Sequence, residues 1–358
     1  MRFHHVCIES TAYALPEEIL TSEALERRLA PVYDRLNLHI GRLELMSGIR
    51  ARRLWPPGTM PSTVGARAGQ AALQAAGLAP ADVDFLIHAA VSRDYLEPAT
   101  AAVVHHDLQL PPAAGFFDIS NACLGFLNAM VTIGNMIELG QIRRGLIVAG
   151  ECSRQLLETT VQELTADPHT DRPALKRAFA SLTIGSGAAA MVLAHEHEAR
   201  QRHRLLGGIL QTDTRHHGLC QGSADTGFRA DAGMLMNTDS EALLETGCAL
   251  AARTWPRFLE SLSWSADSVD RCCTHQVGVA HRDRLYEALG RDPELDFATL
   301  QDLGNVGSVS LPATLALGIE RDPPQPGERL ALLGIGSGLS CMMLGIEWQD
   351  RGRSPVTR

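Results

Sequence analysis

The sequence predicts an α/β fold in which short buried strands alternate with amphipathic helices. Three observations predict it. Short apolar runs bounded by turn residues recur at 85–90, 115–119, 145–150, 188–194, 205–210, 329–333 and 340–348. Stretches with apolar residues three and four apart lie between them, and that alternation is the mark of layered α/β architecture. Finally, residues 211–237 lack periodicity and are rich in Gly, Asp, Thr and His, and the helix-and-strand series on either side are of similar size. An internal duplication is therefore expected, with 211–237 as a surface excursion or lid-like insertion.

The helical segments can be justified in order. Residues 62–76 are rich in Ala and Gln and stop at Gly77, a residue that accepts the left-handed turn ending a helix. Leu124, Leu127, Met130, Gly134 and Ile137 share one face of a helix over 124–139 that Gly140 closes. A third helix is expected over 241–262, kinked or broken at Pro256. The chain after Trp348 is polar and expected to fray.

Composition narrows the function. Apolar residues make up 45% of the 358 and charged residues 20%, a balance that supports a large buried core. A formal charge of −9 with no basic run argues against nucleic acid or an anionic membrane as the main partner. The eight cysteines show no paired spacing, so reduced thiols in a cytoplasm are expected rather than a disulfide framework. The first residues lack the apolar run of a signal peptide, and no stretch is long and apolar enough to span a membrane.

Four segments have the residue types and settings for chemistry. In 118–126 a strand ends, small residues turn the chain, and Cys123 opens a helix. Unpaired backbone N–H groups and the positive end of the helix dipole favour a thiolate there, and the thiolate is the nucleophile. His275, in Thr274-His275-Gln276-Val277, follows an apolar strand that can aim its ring into a cleft. Asn305 stands in a tight loop, Gly304-Asn305-Val306-Gly307-Ser308. Its side-chain amide and an imidazole N–H together suit a developing enolate oxygen. The Gly-rich run 334–340 leads into an apolar strand rather than a helix, which excludes a dinucleotide loop. It suits close approach to Cys123, with the Gly338 N–H offered to an oxyanion beside the N–H of Cys123. Each feature alone also reads as structure: a buried thiol, a hydrogen-bonded histidine, a turn asparagine. His216, His217 and Cys220 lack a fourth ligand for zinc, and Cys272-Cys273 reads as a strand facing two ways.

Taken in this order, Cys123, His275-Gln276, Gly304-Asn305 and the run 336–340 resemble the Cys–His–Asn condensing enzymes, the ketoacyl synthase III branch of the thiolase superfamily. Residues 48–55, 92–100 and 332–339 are similar to the OleA type, the acyl-CoA condensing enzymes of bacterial olefin biosynthesis. The resemblance implies a five-layered α/β/α/β/α fold working as a homodimer. Its two pseudo-symmetric halves are 1–195, carrying the nucleophile, and 196–358, carrying His275 and Asn305. It further implies Claisen condensation of two fatty acyl-CoAs without decarboxylation, giving a 2-alkyl-3-ketoacyl-CoA. Glu97 maps onto the glutamate that reaches the partner subunit's site, and abstraction of an α-proton is its expected task. Arg50, Arg52 and Arg53 are candidates for the CoA phosphates, and Phe126, with Leu127 and Met130, for the acyl channel. No resident cofactor or metal is expected; acyl-CoA or an acyl-carrier protein brings the substrate. Val277-Gly278 depart from the Ala-Asn that follows His-Gln in fatty-acid-initiating synthases. The alternatives are a decarboxylating synthase using a malonyl thioester, acyl transfer to an oxygen or nitrogen nucleophile, and a catalytically silent subunit of a heterodimer.

Overall fold

A computed structural model describes residues 1–222 and 236–349. Strands β1 (Val6–Ala14), β2 (Glu18–Thr21), β3 (Ala51–Leu54), β4 (Phe85–His88), β5 (Gly115–Asp118), β6 (Arg144–Glu151) and β7 (Gly187–His195) form the first half. They are joined by α1 (Ser22–Arg28), α2 (Ala30–Arg35), α3 (Arg42–Ser47), α4 (Pro61–Ala76), α5 (Thr100–Asp107), α6 (Gly125–Glu138), α7 (Arg154–Ala166) and α8 (Arg172–Ala178). The second half holds β8 (His203–Thr212), β9 (Cys220–Gly222), β10 (Met236–Thr238), β11 (Arg271–Thr274), β12 (Arg329–Gly336) and β13 (Ser340–Glu347). Its helices are α9 (Ser240–Leu262), α10 (Val279–Leu289), α11 (Leu300–Leu303) and α12 (Ser310–Arg321).

Among the described residues, nine strands join in the order β11-β12-β13-β8-β1-β7-β6-β4-β5. Read outward from β1, the first half runs first strand, last strand, next-to-last strand, and then β4 and β5. Read outward from β8, the second half runs β13, β12 and β11 in the same sense, and a bridge from Cys272 to Asp296 stands where β5 stands in the first. The directions match too: β6, β4 and β5 run parallel, as do β12, β11 and the Cys272–Asp296 bridge, while the other neighbours are antiparallel. The halves meet where Cys7 and Ile8 pair with Arg204 and His203.

Alternation along each strand sorts the core into three apolar layers, because successive side chains point to opposite faces. Leu146 and Val148 of β6 face α4 and α5, whereas Ile147 faces α6. Leu330 and Leu332 of β12 face the same central layer of α6 and α12, whereas Ala331 and Leu333 face α9 and α10. The result is the five-layered α/β/α/β/α arrangement. Cys272 and Cys273 fall in different layers, as a strand facing two ways requires. A separate apolar cluster built from α1, α2, α3 and α7 sits outside the layers.

Strand β1 was not among the expected strands, and the expected break at Pro256 is not observed. Strand β1 carries Glu9, Ser10 and Thr11 and has no apolar run, yet it pairs β7 through a bulge between Ile8 and Ser10. Helix α9 passes Pro256 unbroken; Pro256 is exposed, where a carbonyl deprived of its partner can turn to water. Within 211–237, β9 and β10 pair as a small hairpin, and the rest of that expected lid, 223–235, lies outside the described residues. The expected frayed tail likewise lies outside them from residue 350 onward.

Candidate active site

The chemistry-bearing residues gather at the carboxyl ends of the parallel strands, where open α/β sheets leave their crevices. Cys123 follows β5, Glu151 ends β6, His275 follows β11 and Gly338 follows β12. The Cys123 turn is tight: Leu124 N–H donates to Asn121 O at 3.0 Å and Gly125 N–H to Ala122 O at 3.2 Å. Ala122 takes φ +46°, a left-handed conformation that costs a non-glycine residue about 1–2 kcal/mol. Two glycines of β12 let the second half close on this turn. A Cβ on Gly334 would lie 2.5 Å from Leu124 Cδ2, and one on Gly336 would lie 2.9 Å from Leu124 Cγ. The hairpin tip beyond them holds Gly338 at φ +121° with open space around its missing side chain.

His275 is buried, with its backbone N–H donated to Leu333 O at 2.9 Å. Its flanks are braced on both sides. Thr274 Oγ1 donates to Asp296 at 2.7 Å. The Gln276 amide donates to Phe297 O at 2.7 Å and accepts from the N–H groups of Thr299 and Leu300 at 2.8 and 3.0 Å. The buried Nδ1 of its imidazole has no hydrogen-bond partner among the described residues. Asn305 is fixed by its backbone to Thr183 and Gly185 at 3.0 and 2.8 Å. Its Oδ1 accepts from Gly307 N–H at 3.0 Å, which leaves the two donors of Nδ2 without a partner among the described residues.

Electrostatics overturn one expectation from the sequence. Burial pushes the Cys123 thiol up to about 12, with the Glu151 carboxylate and Cys220 adding to the rise. Desolvation of the anion outweighs the helix start, so the resting nucleophile is a thiol rather than a thiolate. Burial pushes His275 down to about 3, helped by His281, which burial itself holds at about 4. Both imidazoles rest neutral.

The other candidates fare differently. Glu97 lies at the exposed tip of the 91–99 loop, and its carboxylate has no partner among the described residues. Arg50 is exposed and ion-paired to Asp302 at 2.5 Å. Arg53 is half-buried and donates to Pro16 O at 2.7 Å. Arg52 is 0% exposed, bonded to Ser22 Oγ at 3.1 Å and packed behind the Gly185 and Gly304 turns. It therefore cannot meet a phosphate at an entrance, and burial lowers it to about 10. Phe126 is buried, at 1% exposure, and packs in the central layer with Leu127 and Met130. His216 lies 3.8 Å from Asp213, and Cys220 accepts from Thr238 Oγ1 at 3.5 Å.

Sequence reasoning missed Glu151, His281, the bracing role of Gln276 and the nearness of Cys220 to Cys123. Only Glu151 left a signal, a lone carboxylate directly after the apolar run 145–150.

Comparison with known proteins places the chain in a family. Residues 117–214 match the 3-oxoacyl-[acyl-carrier-protein] synthase III family, 259–348 its C-terminal domain, and 57–156 the thiolase N-terminal domain. The chain is 39% identical to an acyl-CoA:acyl-CoA alkyltransferase of Shewanella oneidensis, over 97% of this chain and 100% of that one. It is 35% identical to one of Xanthomonas campestris, with the same coverage. The cerulenin-bound structure of Xanthomonas campestris OleA superposes with a TM-score of 0.92 at 35% identity, over 97% of this chain and 98% of that one. A cysteine-to-serine variant of the same protein, solved with lauric acid and lauroyl-CoA, gives 0.91 over 97% and 100%.

Proposed function

Since the chain belongs to the acyl-CoA:acyl-CoA alkyltransferase family of thiolase-fold condensing enzymes, we propose that it joins two fatty acyl-CoAs by a non-decarboxylative Claisen condensation. The product is a 2-alkyl-3-ketoacyl-CoA. The observation that carries the reading is the match to two alkyltransferases across their entire lengths.

In the first half-reaction the Cys123 sulfur attacks a thioester carbonyl. A thiol held near 12 cannot ionise in advance, so its proton leaves as the carbon–sulfur bond forms. The neutral His275 has a lone pair to receive it and passes it to the departing CoA sulfur. The backbone N–H groups of Cys123 and Gly338 face the oxyanion, and one such donor is worth about 2.7–4 kcal/mol of barrier. In the second half-reaction a carboxylate takes the α-proton of another acyl-CoA. The enolate oxygen is met by Asn305 Nδ2, whose orientation the Gly307 N–H enforces, and by the His275 N–H. The α-carbon attacks the acyl group on Cys123, and the expelled sulfur recovers its proton from the base. No resident cofactor enters this scheme.

We assign the base to the partner subunit's Glu97. Three observations support this. Glu97 is exposed at a loop tip beside the exposed Tyr95 and Leu96. The neighbouring β5 is an edge strand with Phe116 and Phe117 43% and 37% exposed, the surface a two-fold partner would cover. In the Xanthomonas campestris OleA series, the glutamate and the cysteine replaced in variants stand at the same separation along the chain as Glu97 and Cys123. A cytoplasmic location fits the substrate and the free thiols of all eight cysteines. Among the described residues no helix is long and apolar enough to cross a membrane.

The test uses one saturated acyl-CoA and nothing else. A branched β-keto product, or its ketone after loss of carbon dioxide, is expected. Turnover only when a malonyl thioester is added would overturn the reading.

A further inference from the structure

Glu151 is buried, at 6% exposure, and both of its oxygens are saturated. Oε1 accepts from Val91 N–H at 3.0 Å, Ser308 N–H at 3.2 Å and Ser308 Oγ at 2.7 Å. Oε2 accepts from Ser92 N–H at 3.0 Å and Ser92 Oγ at 2.8 Å. All five partners are donors, the pattern that satisfies a carboxylate anion. The segments so tied are not neighbours in sequence. One is the start of the loop carrying Glu97. The other is the turn that presents Asn305, where Gly307 sits at φ +57° and a Cβ would come within 3.0 Å of Oε1.

We propose that Glu151 is a positioning residue for the carbon–carbon bond-forming step, one carboxylate setting both the loop that presents the Glu97 base and the turn that presents the Asn305 amide. This rests on the functional reading above and deepens it. The two loops serve the second half-reaction, whereas the Cys123 turn hangs on β5 and α6. Loss of the brace therefore separates the two steps. Other ties hold the Glu97 loop, among them Cys152 N–H to Ser92 Oγ at 3.1 Å, Ser62 N–H to Asp94 at 2.9 Å, Asp94 N–H to Thr100 Oγ1 at 3.1 Å and Thr100 N–H to Asp118 at 2.8 Å, and none of these four reaches Asn305. The carboxylate also lies close enough to Cys123 to hold its thiol up, so removing the charge has a consequence that loosening alone does not.

Two substitutions separate these effects. Glu151→Asp keeps the charge but is one methylene too short to reach Ser92 and Ser308 together. Glu151→Gln keeps the reach, removes the charge, and turns an amide N–H₂ toward groups that are themselves donors. In both, condensation is expected to fall about 100-fold, the scale of a 1 Å misplacement. Acylation of Cys123 in a single turnover, read by intact mass, stays within roughly threefold. Iodoacetamide labelling of Cys123 at pH 8 should be roughly 3- to 10-fold faster in Glu151→Gln and unchanged in Glu151→Asp. Equal loss of both half-reactions in Glu151→Asp would overturn the proposal. So would condensation that survives within twofold, or labelling that is equally fast in the two variants. Should Glu151→Gln fail to fold, Ser308→Ala removes the same tie, and its condensation measured against its acylation decides the question. If wild-type protein acylates but forms no condensed product, the functional reading has failed, while the labelling contrast still judges the electrostatic part.

Discussion

Cys123 and His275 rest uncharged because both are desolvated without an opposite charge beside them; the charge that does lie near Cys123 is the like-signed Glu151. This has a direct pH consequence. A thiol raised to about 12 is protonated throughout the working range, and its thiolate fraction grows about tenfold for each pH unit. Iodoacetamide labelling of Cys123, followed on its peptide, should therefore rise without a plateau from pH 7 to pH 10; levelling near pH 7 would mean a pre-formed thiolate. The identities of Cys123, His275 and Asn305 were legible in the sequence, because each stands in a short turn with its own residue pattern. The charge state was not, since it depends on what surrounds the sulfur in three dimensions. Arg52 illustrates the same limit. Arg52 and Arg53 are adjacent on a four-residue strand, and only pairing with Leu20 and Ile19 of β2 decides which one turns inward.

At the scale of elements, the close packing of β12 on α6 carries the Cys123 turn. Gly334 and Gly336 permit it, and any side chain at Gly334 meets Leu124 and Leu127 at 2.5–2.6 Å. Gly334→Val should destabilise the protein by about 1–3 kcal/mol, the range for overpacking a tight core. It should also slow Cys123 acylation, because the displaced Leu124 adjoins the nucleophile. A urea melt and a single-turnover acylation assay measure the two effects; unchanged acylation would show that the turn is set by α6 alone. Strands β6, β7, β12 and β13 and helices α4, α6 and α9 were legible, since burial on a face imposes period two or a continuous apolar run on strands and period near 3.6 on helices. Strand β1 was hidden for the converse reason. It is central, yet Glu9 is buried there with its carboxylate accepting from Arg200 N–H at 2.9 Å, a long-range contact that no local pattern announces.

At the scale of the whole molecule, the two halves stack through a shared central layer: Leu124 beside Cys123 packs on Gly334 and Gly336 of β12, and Ser308 beside Asn305 bonds Glu151 at the end of β6, so a nucleophile from one half meets donors from the other. The duplication was legible as two similar series, but the central layer shared by α6 and α12 was not, because it depends on how the halves stack. A protomer built this way holds Cys123, His275 and Asn305 but turns Glu97 outward, which makes a prediction about assembly. Glu97→Gln and Cys123→Ala should each abolish condensation alone. Co-expressed, with hybrids isolated by two different tags, they should regain activity. The Glu97→Gln subunit supplies Cys123, the Cys123→Ala subunit supplies Glu97, and one of the two sites in each hybrid is complete. Statistical mixing of the two subunits would give about a quarter of the wild-type rate, and purified hybrids about half. Hybrids that remain inactive would place Glu97 in its own subunit's site, because in that arrangement neither active site of the hybrid contains both residues.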